Sequence, residues 1–297
     1  MNGAAAAYHP VAVLRRHLGA ARARVLVYHR VCNAPRERAV QYWNVAPAGF
    51  EMQLDFLLNR GYTVVTAGQI VRALTLGRRL PNKAVAITFD DGFANNYAIA
   101  YRALKSRGLS ATFYVTTRFI GSDMPFPFTR VDPAISEAGA SDDLIWRPLR
   151  WNELAEMRDG GMEIESHSHT HPFFSTLTPQ EIDMEIEDSM RTLKGNGFHP
   201  FTFAASYSLQ GDRLADLVRA LKAHGIQGAF MGGVGSVRSG LDLFDLPRIP
   251  IYEADDLSAF ARKIDGAYDW ISPLHPLWRR LFHRPVSVEA RADHGTT

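Results

Sequence analysis

The sequence has a single cysteine and almost no net charge. Cys32 is the only cysteine among 297 residues, which excludes an intramolecular disulfide framework and any cysteine-rich zinc site. Lysine and arginine total 33 against 31 aspartate and glutamate residues, giving a formal net charge of +2. No polycationic field therefore points to nucleic acid, and we expect no nucleic-acid partner.

Long apolar runs are also missing. Arg15, Arg16, Arg22 and Arg24 interrupt the first 27 residues, and no run reaches the length of a signal-peptide core or a membrane span. We therefore expect a cytoplasmic protein. The segment 268–284 mixes aromatic residues, leucines and arginines. We favour a helix packed over one end of the domain, with weak contact to the inner face of a membrane as the alternative.

Short β-rich apolar runs alternate with helical patterns along the chain, which is typical of a parallel sheet with helices outside it. Strands are predicted at 25–28, 62–65, 85–89, 111–115, 162–165, 201–205, 228–231 and 249–252. Helices are predicted at 48–59, 95–107, 151–159, 179–194, 212–224 and 254–263. The strand count suits a barrel or a broken barrel. We expect one domain at 24–265, an N-terminal extension at 1–23, and a C-terminal segment and tail at 266–297. Residues 121–148 lack a clean period and are predicted to form a long loop beside the ligand cleft.

Two adjacent aspartates, Asp90 and Asp91, end the apolar run that starts at Ala84. The carboxyl ends of parallel strands are where α/β proteins bind ligands. Neighbouring carboxylates repel each other unless a cation or differently shifted pKa values separate them. The alternative is that one aspartate caps the next helix while the other is solvated.

Three alternating histidines, His167, His169 and His171, follow the predicted strand 162–165. Neutral imidazoles are common ligands of zinc and similar ions, and two of them with one carboxylate leave positions for water and substrate. Together the aspartate and histidine runs predict a metal site. Spacing leaves the pair open: His167 and His169 share a face of an extended strand, whereas His167 and His171 converge if the chain has already turned.

The runs Thr88-Phe-Asp-Asp-Gly92 and His167-Ser-His-Thr-His171 resemble the first two signatures of the polysaccharide deacetylase family, also known as the NodB homology domain or carbohydrate esterase family 4. The resemblance extends from about Arg24 to Phe260 and includes Leu26-Val-Tyr-His-Arg-Val31, Ser110-Ala-Thr-Phe-Tyr-Val115 and Leu246-Pro-Arg-Ile249. It is similar to the branch of poly-N-acetylglucosamine deacetylases, in which the motif order is circularly shifted. The resemblance implies a distorted (β/α) barrel and removal of N-acetyl groups from an amino-sugar glycan.

The same resemblance implies a role for each matching residue. Asp91, His167 and His171 would hold a divalent metal, zinc foremost, with cobalt, nickel or manganese as alternatives. Asp90 would be the general base and His29 the general acid. Arg248 lies either beside Asp90, keeping it ionised, or in a surface salt bridge.

One turn departs from the family pattern. The family has an aromatic-x-x-Pro-Tyr-Gly turn where this chain has Phe203-Ala-Ala-Ser-Tyr-Ser208, with Ser206 and Ser208 in place of proline and glycine. The resemblance implies that the backbone N–H of Tyr207 in this turn stabilises the oxyanion. Such a contribution is worth about a hundredfold or more in rate.

The sequence leaves four other functions open. A deformylase or a cyclic-imide hydrolase could use the same scaffold, and an inactive carbohydrate-binding homologue would fit the altered turn. A non-haem iron oxygenase also uses two histidines and one carboxylate, but it has no need for the second aspartate.

Overall fold

Parallel strands alternate with helices in the computed structural model, which describes residues 22–33, 43–123, 126, 144–207, 209, 211–233 and 235–269. The strands are β1 (Ala23–Tyr28), β2 (Arg30–Val31), β3 (Asn44–Val45), β4 (Thr63–Val65), β5 (Ala84–Phe89), β6 (Thr112–Val115), β7 (Glu163–Ser166), β8 (Thr202–Ala204), β9 (Gly228–Phe230) and β10 (Ile249–Pro250). The α-helices are α1 (Pro47–Asn59), α2 (Ala67–Thr75), α3 (Arg102–Lys105), α4 (Trp151–Asp159), α5 (Pro179–Gly195), α6 (Gly211–Ala223) and α7 (Leu257–Asp265). A π-helical stretch (Asn96–Tyr101) leads into α3, and a short 3₁₀ helix covers Phe174–Thr176.

The main sheet curls through the order β10-β1-β5-β6-β7-β8-β9, and β4 pairs with the first half of β5. Every ladder in it is parallel. A parallel bridge between Phe230 and Leu246 ties β9 to the segment that leads into β10. The predicted distorted (β/α) barrel is confirmed, and all eight predicted strands are present.

The two faces of the sheet pack against different helices because side chains alternate along each strand. Leu26, Ile87 and Phe113 pack with α1, α4 and α7 in one buried cluster. Val25 and Ala86 face the other way and pack with α2. Both faces are therefore covered, which explains the continuous apolar runs of β1 and β5.

Helix α2 was not predicted, although its N-terminus carries a capping box. The Thr66 side chain accepts a hydrogen bond from the Gln69 N–H, and the Gln69 side chain accepts one from the Thr66 N–H. The Ala67 N–H donates to Thr112 Oγ1 and the Gly68 N–H donates to Glu163. These bonds dock the start of α2 on the amino ends of β6 and β7.

A buried carboxyl group joins β7 to β8. The two strands pair at Ser166 and Phe203, and Glu165 Oε2 accepts hydrogen bonds of 2.7 Å from the N–H groups of Phe201 and Thr202. Burial raises the pKa of Glu165 to about 8. The carboxyl group supplements the short ladder, so the residues after β8 stay close to the histidines after β7.

Several expectations fall on residues outside those described. These are residues 1–21 of the extension 1–23, most of the loop 121–148, Ser208, and the C-terminal segment from residue 270 onwards. The domain limits and the membrane-surface contact accordingly stay predictions. Among the helices of the described ranges, none has the length and apolar character needed to cross a bilayer.

Candidate metal centre and catalytic cleft

A cleft of about 510 Å³ opens at the carboxyl ends of the strands. Its floor includes Asp90, Asp91 and Arg248, and one side carries His29 with Trp43 and Tyr252. The opposite side carries His171, Ser206 and Tyr207. Every predicted site residue except the deeply buried His167 lines this single cleft.

The aspartate turn directly follows β5. The Asp90 N–H donates to the Tyr28 carbonyl, which holds the turn beside β1. Asp91 has a φ of 74° and Gly92 a φ of 94°, a backbone region that glycine tolerates best. A Cβ at Gly92 would also lie 2.9 Å from Ile120 Cδ1. The glycine is therefore required for the turn that directs both carboxylates into the cleft.

The histidine loop after β7 is a tight turn fixed by hydrogen bonds. Ser168 and His171 have φ values of 73° and 62°, which cost about 1–3 kcal/mol each in a residue other than glycine. The Glu185 carboxylate offsets this strain by accepting bonds from the N–H groups of His169 and Thr170 and from the Thr170 hydroxyl. The His171 N–H donates to Ser168 Oγ.

The turn separates the middle histidine from the other two. His169 Nδ1 lies 2.9 Å from Thr117 Oγ1, whereas the rings of His167 and His171 lie 5.1 Å apart. The structure thus brings together His167 and His171, the pair that the family resemblance implies.

The side chains of Asp91, His167 and His171 converge on one point. Asp91 Oδ1 lies 3.5 Å from His167 Nε2 and 3.3 Å from His171 Nε2, and the three ligand atoms lie within 4.8 Å of one another. Asp91 Oδ1 is buried and accepts no well-formed hydrogen bond from the described residues. A carboxylate oxygen in such a position suits a bound cation.

His167 is prepared to act as a ligand. Its Nδ1 lies 2.8 Å from the Ala204 carbonyl and must donate to it, which leaves the Nε2 lone pair facing Asp91. Burial is the main reason that the pKa of His167 is lowered to about 4, so the imidazole is neutral at pH 7. One carboxylate and a neutral, oriented imidazole with a second beside it fit a divalent metal of the zinc type.

Asp90 is paired most closely with Arg248, while His167 Nε2 lies 3.7 Å from Asp90 Oδ2. Arg248 Nη1 and Nη2 donate to the two carboxylate oxygens at 2.6 and 2.8 Å, and both side chains are buried. Burial alone would raise the pKa of Asp90, but the Arg248 charge, with His167, outweighs it and lowers the pKa. Arg248 therefore lies beside Asp90 and not in a surface salt bridge.

His29 lies at the end of β1, across the cleft from the histidine loop. Burial lowers its pKa, with the charges of Asp91 and Asp90 acting in the opposite direction. Its Nδ1 has no hydrogen-bond partner among the described residues. The Trp43 ring lies 4.4 Å from the imidazole and 5.2 Å from the Tyr252 ring, so an aromatic wall fixes this side of the cleft.

Ser206 and Tyr207 follow β8 and line the cleft beside His171. The Tyr207 ring meets the His171 ring edge-on at 5.0 Å and stacks on Phe173 at 4.0 Å. The residue that aligns with the family glycine, Ser208, lies outside the described residues. The proposed oxyanion role of the Tyr207 N–H stays a prediction.

Sequence reasoning missed the aromatic residues of the cleft and the anchor of the histidine loop. Trp43, Tyr252 and Phe173 are aromatic residues outside any periodic pattern, and Glu185 lies among other acidic residues of α5. The one signal in the sequence was the position of Tyr252 at the end of the predicted strand 249–252. It comes two residues after β10, where ligand-binding residues are expected.

Comparison with known proteins places these residues in a family context. Residues 77–229, more than half of the chain, match the sequence model of the family described as Polysaccharide deacetylase. Asp90, Asp91, His167, His171 and Tyr207 fall within the match. His29 and Arg248 fall outside it.

The individual relatives and solved structures have low sequence identity to this chain. The chain is 27% identical over 242 residues to YxkH of Bacillus subtilis, whose name places it among the polysaccharide deacetylases; the match covers 82% of this chain and 76% of that protein. It is 27% identical over 140 residues to the poly-β-1,6-N-acetyl-D-glucosamine N-deacetylase of Escherichia coli, covering 46% of this chain but only 19% of that protein. The fold resembles that of the Streptococcus pyogenes deacetylase PplD, with a TM-score of 0.67 and 21% identity over 83% of this chain and 99% of that one.

Proposed function

This chain belongs to the polysaccharide deacetylase family, and from that membership we propose that it is a metal-dependent hydrolase that removes N-acetyl groups from amino sugars of a glycan. The observation that carries the proposal is the convergence of Asp91, His167 and His171 beside an aspartate that Arg248 keeps ionised. One carboxylate, Asp91, is thus available to bind the metal, and the other, Asp90, is available to act as the base.

Asp91, His167 and His171 would hold a divalent cation, which would lower the pKa of a water in the cleft and polarise the amide carbonyl. Asp90 faces the same cleft and accepts the proton of the attacking water. His29, from the opposite wall, gives a proton to the departing nitrogen as its bond to the carbonyl carbon breaks. The Tyr207 N–H is proposed to stabilise the oxyanion. The products are acetate and the free amine.

The substrate class is proposed from the cleft and from one relative. The E. coli relative is named for an N-acetyl-D-glucosamine polymer, and the cleft has aromatic rings on both walls, from Trp43 and Tyr252 on one and Tyr207 on the other. Aromatic rings pack well against the apolar face of a sugar. An N-acetylated amino sugar therefore fits both the proposed amide hydrolysis and the aromatic walls of the cleft.

Acetate release tests the proposed function. The purified protein is assayed on N-acetylglucosamine oligomers and lipid-linked N-acetyl sugars after chelation and after zinc or cobalt is restored. We expect acetate only with metal. Formate from N-formyl sugars, or a half-amide from a cyclic imide, would replace the proposal with another amide hydrolysis. Sugar binding without turnover would indicate a carbohydrate-binding protein.

Replacing Arg248 with glutamine is expected to move the acid limb of the pH profile of kcat/KM upwards. Without the Arg248 charge, burial dominates and raises the pKa of Asp90, so the base becomes protonated at a higher pH. A cation at this distance typically lowers a carboxyl pKa by about 1–3 units, and the limb should rise by a similar amount. Measurement of kcat/KM from pH 3 to 9 at saturating metal checks this.

Arg107→Gln is the matched control, because Arg107 pairs with the exposed Asp55 far from the cleft. Its profile should coincide with that of the wild type. An Arg248→Gln profile with an unmoved acid limb would show that Arg248 does not set the ionisation of Asp90.

A further inference from the structure

Phe173 is a large apolar side chain held at the rim of the cleft. Its side chain is 45% exposed, whereas Phe174 beside it is 1% exposed. Phe173 lies two residues after His171, so its position depends on the turn that places the metal ligands.

Packing and hydrogen bonds fix the backbone at Phe173, so the exposure of its ring follows from the fold. Phe174 is buried in the cluster between α5 and α6. The Phe173 carbonyl accepts hydrogen bonds from the N–H and the hydroxyl of Thr176, at 2.9 and 2.8 Å. The ring has no route into the core while these contacts hold.

The ring continues the inner surface of the cleft outwards. Phe173 stacks on Tyr207 with a centroid distance of 4.0 Å and an interplanar angle of 12°. Tyr207 in turn meets the His171 ring edge-on at 5.0 Å and lines the cleft. Three rings therefore run from the metal ligands to the rim.

We propose that Phe173 binds the sugar residue next to the one that is deacetylated. The inference rests on the proposed function. A glycan that enters the cleft must cross its rim, and on the Tyr207 side the rim is this stack. The apolar C–H face of a pyranose ring complements an exposed aromatic face, while its hydroxyl groups remain hydrated.

The test compares wild type, Phe173→Ala and Phe173→Trp. The substrates are N-acetylglucosamine and its β-1,4- and β-1,6-linked oligomers from dimer to tetramer. We expect kcat/KM of the wild type to rise with chain length. Phe173→Ala should lose about fivefold or more on the tetramer and less than about twofold on the monomer. Phe173→Trp should restore the dependence on chain length. Leu76→Ala is the matched control, because Leu76 is also an exposed large apolar residue, at 60%, but follows α2, which docks on the amino ends of the strands. This variant should match the wild type.

Two kinetic outcomes overturn the proposal. One is a Phe173→Ala variant that equals the wild type at every chain length. The other is an equal loss at every length, which would mean that Phe173 acts only by supporting Tyr207 and His171. Calorimetric binding of the tetramer in the presence of chelator separates this proposal from the proposed function, because it requires no turnover. Weaker binding by Phe173→Ala than by wild type supports the sugar site even if no acetate is released, and equal or undetectable binding by both proteins overturns it.

Discussion

Replacing Asp90 with asparagine is expected to lower kcat by about a hundredfold to ten-thousandfold, the range that a positioned general base contributes. Asparagine keeps the shape of the side chain and one oxygen for Arg248, but it cannot accept a proton from water. Asp91, His167 and His171 are unchanged, so zinc affinity should stay close to that of the wild type. Acetate release and zinc titration on the same preparation check both parts.

The variant leaves the buried Arg248 charge without its counter-ion, so some loss of stability is expected as well. Thermal unfolding of Asp90→Asn should therefore be measured alongside its activity, and kcat should be compared well below the unfolding transition. Asp55→Asn is the control, since Asp55 is an exposed aspartate on α1 that pairs with Arg107. Retained turnover by folded, zinc-loaded Asp90→Asn would assign the base to another group.

The environments of the two aspartates explain why adjacent carboxylates can have different roles. Asp90 makes a bidentate pair with Arg248, whereas Asp91 Oδ1 faces two imidazole nitrogens. The pKa of each is lowered despite burial: Arg248 opposes burial most strongly at Asp90 and His171 does so at Asp91, while His29 and His167 lower the pKa of both. Sequence alone indicated that the repulsion had to be relieved, and the structure places an arginine beside one carboxylate and two imidazoles beside the other.

Most of the fold was predictable because strands such as β1 and β5 are buried on both faces and therefore appear as apolar runs. All eight predicted strands are present. Helix α2 was missed despite its Thr66–Gln69 capping box, because its short apolar pattern adjoins the run of 62–65. The two-residue strands β2 and β3 carry no pattern that could be recognised, since their pairing depends on tertiary contacts alone.

The chemistry of the site was more predictable than its walls. Asp90, Asp91 and His167 directly follow strands, and parallel strands bring their carboxyl ends to one edge. The choice between His169 and His171 depended on the family resemblance, because the turn relies on Glu185, sixteen residues beyond His169. Trp43, Tyr252 and Phe173 could not be assigned, since an aromatic residue in a loop is as consistent with packing as with binding.

Replacing His171 with asparagine is expected to weaken zinc binding by more than about a hundredfold, because even changes outside the ligand set cost about 10- to 100-fold. Asparagine tolerates the positive φ of this position better than alanine does, so the turn should survive. Its amide is a poor substitute for imidazole as a zinc ligand. Activity at limiting zinc should fall with the affinity, and titration of the metal-free protein with zinc measures the loss directly.

His169→Asn provides the matched control within the same loop. His169 contacts Thr117 through Nδ1 and takes no part in the cluster of Asp91, His167 and His171, so its variant should bind zinc as the wild type does. The opposite result, with zinc lost in His169→Asn and retained in His171→Asn, would assign the extended-strand pair as ligands. Because both variants make the same substitution two residues apart, a general loosening of the loop would weaken both equally, and only a ligand role for His171 separates them in the expected direction.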